Sequence, residues 1–324
     1  MVEEPAEHRL RLIRKMGLTR FLGALALAAA AAVHGADIEP ACGSVTGNPE
    51  LAIKVCTRLI EFGSLERRDL AKAYFARGSE WANQGNHERA VLDLDMAIEL
   101  DPKVPSYYLN RALSLSERGD HERAAVDYGA AIKLAPNDVR MYLGRAVEWT
   151  VLGDYKRAQA DYEEVISRQP RDMTGYFGRG RVRFYAGNFM QSASDFTRSH
   201  QLSGGIYTAI WLFLARKRAD IPAEQTLAED AGTSGGGNWP AAIVALYLGK
   251  STPEAVQKAA ASPDPARQRD QRCEANFYIA QWHLLRSERD AASQLLRNAQ
   301  SDCPGTLLEQ EAAVAELRRL AQKQ

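Results

Sequence analysis

Two columns of oppositely charged residues form the strongest chemical pattern in this sequence. Four arginines recur every 34 residues, and four aspartates recur at the same interval, sixteen positions further along. The columns are Arg77, Arg111, Arg145 and Arg179, and Asp93, Asp127, Asp161 and Asp195. Because guanidinium groups pair with carboxylates in a bidentate geometry, the equal numbers predict a structural ladder of ion pairs. The alternative is a basic stripe that binds an anionic ligand.

Residues that could perform catalysis or bind a metal lack the spacing that such chemistry needs. The sequence contains no His-Glu-x-x-His motif and no P-loop, and its cysteines are not arranged as CxxC pairs. His87 and His121 share one column of the 34-residue period, where Tyr155 and Phe189 stand in the other copies. We therefore interpret both histidines as packing or surface residues. We predict a protein without enzymatic activity, cofactor or metal.

The 34-residue period indicates the elements that must position these side chains. It runs through residues 71–204, where a glycine column and a column of large apolar residues accompany the charged ones. These columns are Gly85, Gly119, Gly153 and Gly187, and Leu94, Tyr128, Tyr162 and Phe196. A fixed period through four copies is typical of a repeat array. Neighbouring copies must stack, because one copy is too small to bury its own apolar face.

The charge balance limits the class of partner. Lysine plus arginine and aspartate plus glutamate each number 41, so the formal net charge is zero. Nucleic-acid binding requires a basic surplus or a basic stripe, so this balance argues against it. The hydrophobic fraction of 45% is ordinary for a folded protein.

Residues 1–36 have the features of a cleavable export signal. Basic residues precede an uncharged apolar run of 13 residues, which is short for a membrane-spanning helix of about 20 residues. Met16 is an alternative start. Lipid attachment at Cys42 is not favoured, because Glu39 stands at the third position before it, where a lipobox needs leucine or a similar residue. We predict a periplasmic or secreted mature protein without a membrane span.

The four cysteines form one N-terminal and one C-terminal group. In an oxidising compartment, Cys42–Cys56 and Cys273–Cys303 are the expected disulfides. The other pairings stay open, and a cytosolic protein would instead keep four buried thiols. If Cys273 is the first position of a repeat-like hairpin, Cys303 is its position 31. The two ends of an antiparallel hairpin are adjacent, so this bond is geometrically sensible.

Residues 71–204 resemble the tetratricopeptide repeat family. Repeats of that family are helix–turn–helix units with small residues at positions 8 and 20, an aromatic residue at 24 and proline at 32. The matching residues here are Gly78, Ala112, Ala146 and Gly180 at position 8, Ala90, Ala124, Ala158 and Ser192 at position 20, and Pro102, Pro136 and Pro170 at position 32. The resemblance implies an all-α fold, a solenoid of antiparallel helix pairs.

The expected organisation places the array between two atypical ends. From the N-terminus, the segments are a signal peptide (1–36), a capping segment (37–70), the array (71–218), a flexible joint (219–240) and a C-terminal helical region (241–324). The array consists of copies at 71–104, 105–138, 139–172 and 173–206, with a partial helix to 218. The C-terminal region is expected to hold a loop to about residue 271, a repeat-like hairpin at 273–303 and a capping helix.

A looser resemblance concerns the whole chain. The order of repeats, the glycine-containing joint, the YLGK segment at 247–250, and Phe277 and Tyr278 in the last hairpin resemble the NlpI-like bacterial envelope proteins. Members of that family are adaptors that hold cell-wall hydrolases and a protease together. The resemblance implies a non-catalytic periplasmic scaffold that binds partner proteins. One alternative is a secreted protein that self-associates into a homodimer. Another is an enzyme built on a helical array, which no residue supports.

The tetratricopeptide resemblance also implies where a partner binds. In that family, first-helix positions 2, 5, 9, 12 and 13 line the inner groove. The residues carried over are Lys72, Phe75, Leu109, Arg140, Leu143, Phe177, Arg181, Phe184 and Tyr185. Such a groove suits a partner segment with apolar anchors and some acidic residues. The alternative is that the apolar stripe packs against the chain's own C-terminal half.

Overall fold

The structure is a computed structural model, and it describes residues 48–62, 64–230, 239–303 and 308–322. The described residues form sixteen α-helices and no β-strand, which confirms the all-α fold class. No helix in these ranges is both long enough and apolar enough to cross a membrane. The predicted signal peptide, Cys42 and the glycine-rich part of the predicted joint lie outside the described residues.

The described residues divide into two compact units, one ending at Leu152 and the other beginning at Gly153. The N-terminal unit contains α1 (Pro49–Phe62), α2 (Arg67–Asn83), α3 (His87–Leu100), α4 (Pro105–Glu117), α5 (His121–Leu134) and α6 (Val139–Leu152). The C-terminal unit contains α7 (Tyr155–Arg168), α8 (Met173–Tyr185), α9 (Phe189–Ser203), α10 (Ile206–Arg218), α11 (Glu224–Asp230), α12 (Ala241–Tyr247), α13 (Pro253–Ala259), α14 (Pro265–Leu285), α15 (Arg289–Asp302) and α16 (Leu308–Ala321).

The helix pairs of the N-terminal unit are joined by turns that the sequence specifies locally. Between α4 and α5, Gly119 has a φ of 79°, a conformation that residues with side chains rarely adopt. The next residue, Asp120, caps α5 because its side chain accepts a hydrogen bond from the Arg123 backbone N–H at 3.4 Å. Asn86 caps α3 in the same way, through the Arg89 N–H at 3.2 Å. Glycine followed by a capping residue therefore ends one helix and starts the next.

Small residues allow the helices of this unit to pack closely. Ala90 of α3 and Ala124 of α5 are fully buried. The Tyr128 ring of α5 lies directly against Gly144 of α6, where a methyl group would have no room. A glycine at this position therefore permits α6 to approach α5 over the face of an aromatic ring.

The core of the C-terminal unit is centred on Trp211 in α10. Eight consecutive residues of this helix, from Thr208 to Ala215, are buried, so other helices surround α10. The Trp211 ring contacts the rings of Phe184 in α8, Phe196 in α9 and Phe277 in α14 at centroid distances of 5.3, 5.9 and 5.6 Å. These contacts join the fourth repeat copy to the C-terminal hairpin of α14 and α15.

Two segments expected to be irregular contain helix. Residues 265–271, expected in a loop, form the first turns of α14, because Asp264 caps the helix and Pro265 occupies its first turn. The predicted joint contains α11, whose Leu227 is buried in the core of the unit. A start signal in the first case and one buried apolar residue in the second outweigh a polar composition.

Candidate functional site

The arginine and aspartate columns form bidentate ion pairs within each unit. Arg77 donates to Asp93 at 2.8 and 2.7 Å, and Arg111 donates to Asp127 at 2.6 and 2.7 Å. The hydrogen bonds to Asp93 raise the pKa of Arg77, against an opposing effect of burial. In the C-terminal unit, Arg179 donates to Asp195 at 3.0 and 2.7 Å. Arg145 is half-buried in α6, and Asp161 is buried in α7.

Two of these arginines also reach a helix of the preceding copy. The Arg111 guanidinium donates to Asp95 of α3 at 2.6 Å, and Arg179 lies 3.6 Å from Glu163 of α7. Asp95 and Glu163 share position 25 of the repeat, a column that the sequence analysis did not single out. The arginine column therefore links adjacent copies as well as the two helices of one copy. Because protein carboxylates already surround these guanidinium groups, the geometry favours a structural role over an anion-binding stripe.

The predicted groove residues of the N-terminal unit lie on its first helices, α2, α4 and α6. Phe75 packs its ring against Tyr107 at 4.9 Å, and Leu143 is half-buried. Leu109 is only 6% exposed, so it forms the floor of this surface. At the edge, Lys72 lies 3.4 Å from Asp69 and Arg140 donates to Asp138 at 2.9 Å. Hydrogen bonds from Arg140 lower the pKa of Asp138.

Two further apolar residues of this surface were not named from the sequence. Leu113 of α4 and Val147 of α6 are half-buried apolar residues at repeat position 9, which belongs to the groove positions. Asn110 donates to the Ser79 hydroxyl at 3.0 Å, which joins neighbouring first helices. His121, expected to be a packing or surface residue, lies 2.7 Å from the buried Glu148 carboxylate. Counting the column through every copy would have identified Leu113 and Val147.

In the C-terminal unit, the predicted groove residues are covered by the chain itself. Arg181, Phe184 and Tyr185 of α8 are buried, contrary to the expectation that they line an open groove. The covering element is α16. Its Glu311 accepts from Arg181 at 2.8 Å, and its Arg319 donates to the backbone carbonyls of Phe184 and Tyr185 at 2.8 and 2.9 Å. The remaining member, Phe177, is half-buried against Phe196 at 5.6 Å.

Two neighbouring glutamates, Glu274 and Glu309, are buried in the C-terminal unit. Glu274 accepts hydrogen bonds from the Tyr207 hydroxyl at 2.6 Å and the Trp239 indole N–H at 2.9 Å. Burial raises the pKa of Glu274 to about 8, and the nearby Glu309 carboxyl group adds to the rise. Glu309 accepts from the Tyr278 hydroxyl at 2.8 Å. Both side chains are shielded from solvent, and each carboxyl group is held by hydrogen bonds from tyrosine or tryptophan side chains.

A disulfide closes the C-terminal hairpin. Cys273 of α14 is bonded to Cys303, the residue that follows α15, with their Cα atoms 5.0 Å apart. This pairing is compatible with an extracytoplasmic location. Cys56 is buried in α1, and its expected partner Cys42 lies outside the described residues.

The described residues offer no recognisable centre for metal or nucleophilic chemistry. No group of three or more His, Cys, Asp or Glu side chains within the described ranges is placed to hold a metal ion. The GTSGG segment at 232–236, outside these ranges, has the Gly-x-Ser-x-Gly spacing of a nucleophile elbow. Such an elbow follows a β-strand, whereas helix α11 precedes this segment. The spacing alone therefore does not indicate a nucleophile.

Comparison with known families agrees with the geometry of the helix pairs. The family model described as tetratricopeptide repeat matches residues 64–104, 105–138 and 152–172. The chain carries tetratricopeptide repeats. These matches include the turn glycines Gly85, Gly119 and Gly153. No curated protein sequence matches the chain.

Solved tetratricopeptide structures share the fold over most of the chain. A tetratricopeptide repeat protein from Parabacteroides merdae is 14% identical, with a TM-score of 0.55 over 87% of this chain and 98% of its own. The C-terminal part of a repeat-containing protein from Cytophaga hutchinsonii is 17% identical, with a TM-score of 0.51 over 86% of this chain and 99% of its own. At these identities the similarity establishes the fold alone.

Proposed function

We propose that the chain is a non-catalytic scaffold that binds a segment of a partner protein along the first helices of its N-terminal unit. Tetratricopeptide repeat proteins are generally interaction scaffolds rather than enzymes. The observation that carries the proposal is a row of half-buried apolar side chains on adjacent first helices. Its members are Phe75, Leu113, Leu143 and Val147.

The chemistry of this row suggests the partner segment. Partly exposed apolar side chains over a buried floor can accept apolar anchors, and each buried anchor contributes about 1.5–3 kcal/mol. Lys72 and Arg140 lie at repeat position 2, on the edge of the row. Both already contact aspartates, so an acidic residue of the partner would compete with Asp69 and Asp138. We therefore expect a segment with apolar anchors and a few acidic residues.

The proposed location is the periplasm, reached by the export signal at 1–36. The Cys273–Cys303 disulfide supports an oxidising compartment. The resemblance to NlpI-like proteins then favours cell-wall hydrolases or proteases as partners. The mass of the mature protein and a non-reducing gel test this part. An uncleaved N-terminus with free thiols would contradict export.

Binding at the row is tested by comparing two kinds of variant in capture from envelope extracts. Leu143→Glu and Val147→Glu place charges on the half-buried row, and we expect each to lower capture at least about tenfold. Leu109→Glu is unsuitable, because Leu109 is buried and the variant would unfold. Met190→Glu, at an exposed position of α9, is the matched control. Equal capture by all three proteins, with unchanged helicity, would show that the row is not the binding surface.

A further inference from the structure

The outward faces of the second helices α3 and α5 are unusually apolar. Seven large apolar residues are exposed among the described residues, and four of them lie here. They are Leu92 and Met96 on α3, and Val126 and Leu134 on α5. Leu92 and Val126 are 61% and 69% exposed, and both occupy position 22 of their repeat. The residues on each helix lie four or eight positions apart, so they follow one line along its surface.

Other copies show that the repeat itself does not require this surface. The exposed residues of α7 are Lys156, Arg157, Ala160, Glu163, Glu164 and Ser167, and none has a large apolar side chain. Ala160 and Ser194 stand at position 22 of the third and fourth copies, and Glu164 and Arg198 stand at position 26. The apolar line of the first two copies is therefore a local property, of the kind that marks an interaction surface.

A cavity of about 510 Å³ interrupts the surface beside Val126. It is lined by Tyr108, Ala130, Lys133 and Leu134, with Gly129 among its lining residues. Gly129 occupies repeat position 25, where the first copy has Asp95. A Cβ atom at 129 would lie 3.4 Å from the Arg145 guanidinium, so a small side chain would fit. Gly129 leaves part of this open cavity unfilled, and an apolar side chain from outside can enter it.

The charges around the apolar line indicate which molecule supplies this side chain. Besides Leu92 and Met96, the exposed residues of α3 are Glu88, Arg89 and Glu99, and the Arg89 guanidinium lies over the Trp81 ring at 4.6 Å. On α5, Lys133 is exposed beside the cavity, Arg123 pairs with Asp120, and Glu122 is the one exposed acid. The line on α3 is flanked by two acids, whereas the cavity on α5 is flanked by a base.

We infer that the outer face of α3 and α5 binds a second copy of this chain in a two-fold symmetric dimer, with α3 of each copy on α5 of the other. Leu92 or Met96 of one copy then enters the cavity beside Val126 of its partner, and an acid of α3 faces Lys133. A two-fold axis forms this contact twice, as an isologous interface requires.

Such a dimer has a consequence for partner binding that rests on the proposed function. The dimer surface lies on second helices, whereas the proposed binding row lies on the first helices of the same repeats. Both rows therefore stay accessible, and one dimer offers two binding sites. A partner with two matching segments, or a membrane-bound partner array, then gains avidity from simultaneous engagement.

The association is tested by sedimentation velocity on the mature full chain. We expect the wild type to sediment as a dimer at micromolar concentration. Val126→Asp and Leu92→Asp each bury a charge in the apolar line, and we expect each to weaken the dimer on the order of a hundredfold. Gly129→Ala adds a methyl group to the cavity while improving helix propensity, so it should weaken the dimer without lowering the melting temperature.

The matched control is Met190→Asp, which changes an equally exposed apolar residue (63%) on α9. This variant should remain dimeric. A monomeric wild type would overturn the inference, and so would dimers that persist in both Val126→Asp and Leu92→Asp. Partner capture separates this outcome from the proposed function, because a dimer-defective variant should still bind through Leu143 and Val147.

Discussion

The ion pair between Arg111 and Asp127 gives the sharpest test of how the repeats are held together. Arg111→Met keeps the length of the side chain and removes its charge. Asp127 then stays buried in α5 without its bidentate partner, and Asp95 of the preceding copy loses its link to α4. We expect this change to destabilise α4 and α5 together.

The expected loss of stability depends on how far each charge is shielded from solvent. Removing one partner of a fully buried ion pair lowers the free energy of unfolding by about 3–5 kcal/mol, because the remaining charge is neither paired nor solvated. The Arg111 side chain is 19% exposed and that of Asp127 is 6% exposed, so some water can approach. We therefore expect a loss of about 2–3 kcal/mol for Arg111→Met. Replacing both groups, as Arg111→Met with Asp127→Leu, should restore stability to within about 1 kcal/mol, because no charge is left buried.

Hydrogen exchange followed by mass spectrometry is the suitable assay, because a repeat array need not unfold in one step. A loss of 2–3 kcal/mol corresponds to roughly 30- to 150-fold faster exchange in α4 and α5. The control is Arg118→Met, which changes an exposed arginine directly after α4. If Arg111→Met exchanged within about threefold of wild type, the ladder would contribute nothing to local stability, and our reasoning would be refuted.

Three further changes test the C-terminal unit. Because the pKa of Glu274 is raised from 4.5 to about 8, the unfolded chain loses a proton that the folded unit keeps between these values. The free energy of unfolding should therefore fall as pH rises through this window and level off above it, and Glu274→Gln should flatten the fall in melting curves recorded across it. Replacing Cys273 and Cys303 by alanine opens a loop with a sequence separation of 30, and urea unfolding should show a loss of about 3–4 kcal/mol. Arg319→Ala removes the donor to two carbonyls of α8, and exchange in α16 should rise roughly tenfold or more.

The fold could be predicted from the sequence because its signals are local and repeated. Three of the four turn glycines, such as Gly119, are followed by a residue whose side chain caps the next helix. Small residues recur where helices approach. These signals act within one copy or between neighbours, so a 34-residue period records them directly. The predicted joint and the loop before Cys273 were assigned from polar composition. There the helices α11 and α14 depend on the burial of Leu227 and on a cap at Asp264.

The binding surface was only partly predictable, because exposure depends on neighbours that no period records. Leu109 and Leu143 share one repeat position, yet Leu109 is buried and Leu143 is half-buried. Phe184 and Tyr185 occupy groove positions, but α16 covers them through side chains far away in sequence. The hydrogen bond between Arg181 and Glu311 spans 130 residues.

The sequence by itself determined the helix pairs, their turns and the columns of residues that face each other within a copy. These depend on interactions between near neighbours, which repeat as the sequence repeats. Only the tertiary structure decided which columns remain accessible, where Arg111 reaches a second aspartate, and which face the last helix covers. Those outcomes depend on packing between segments that share no period.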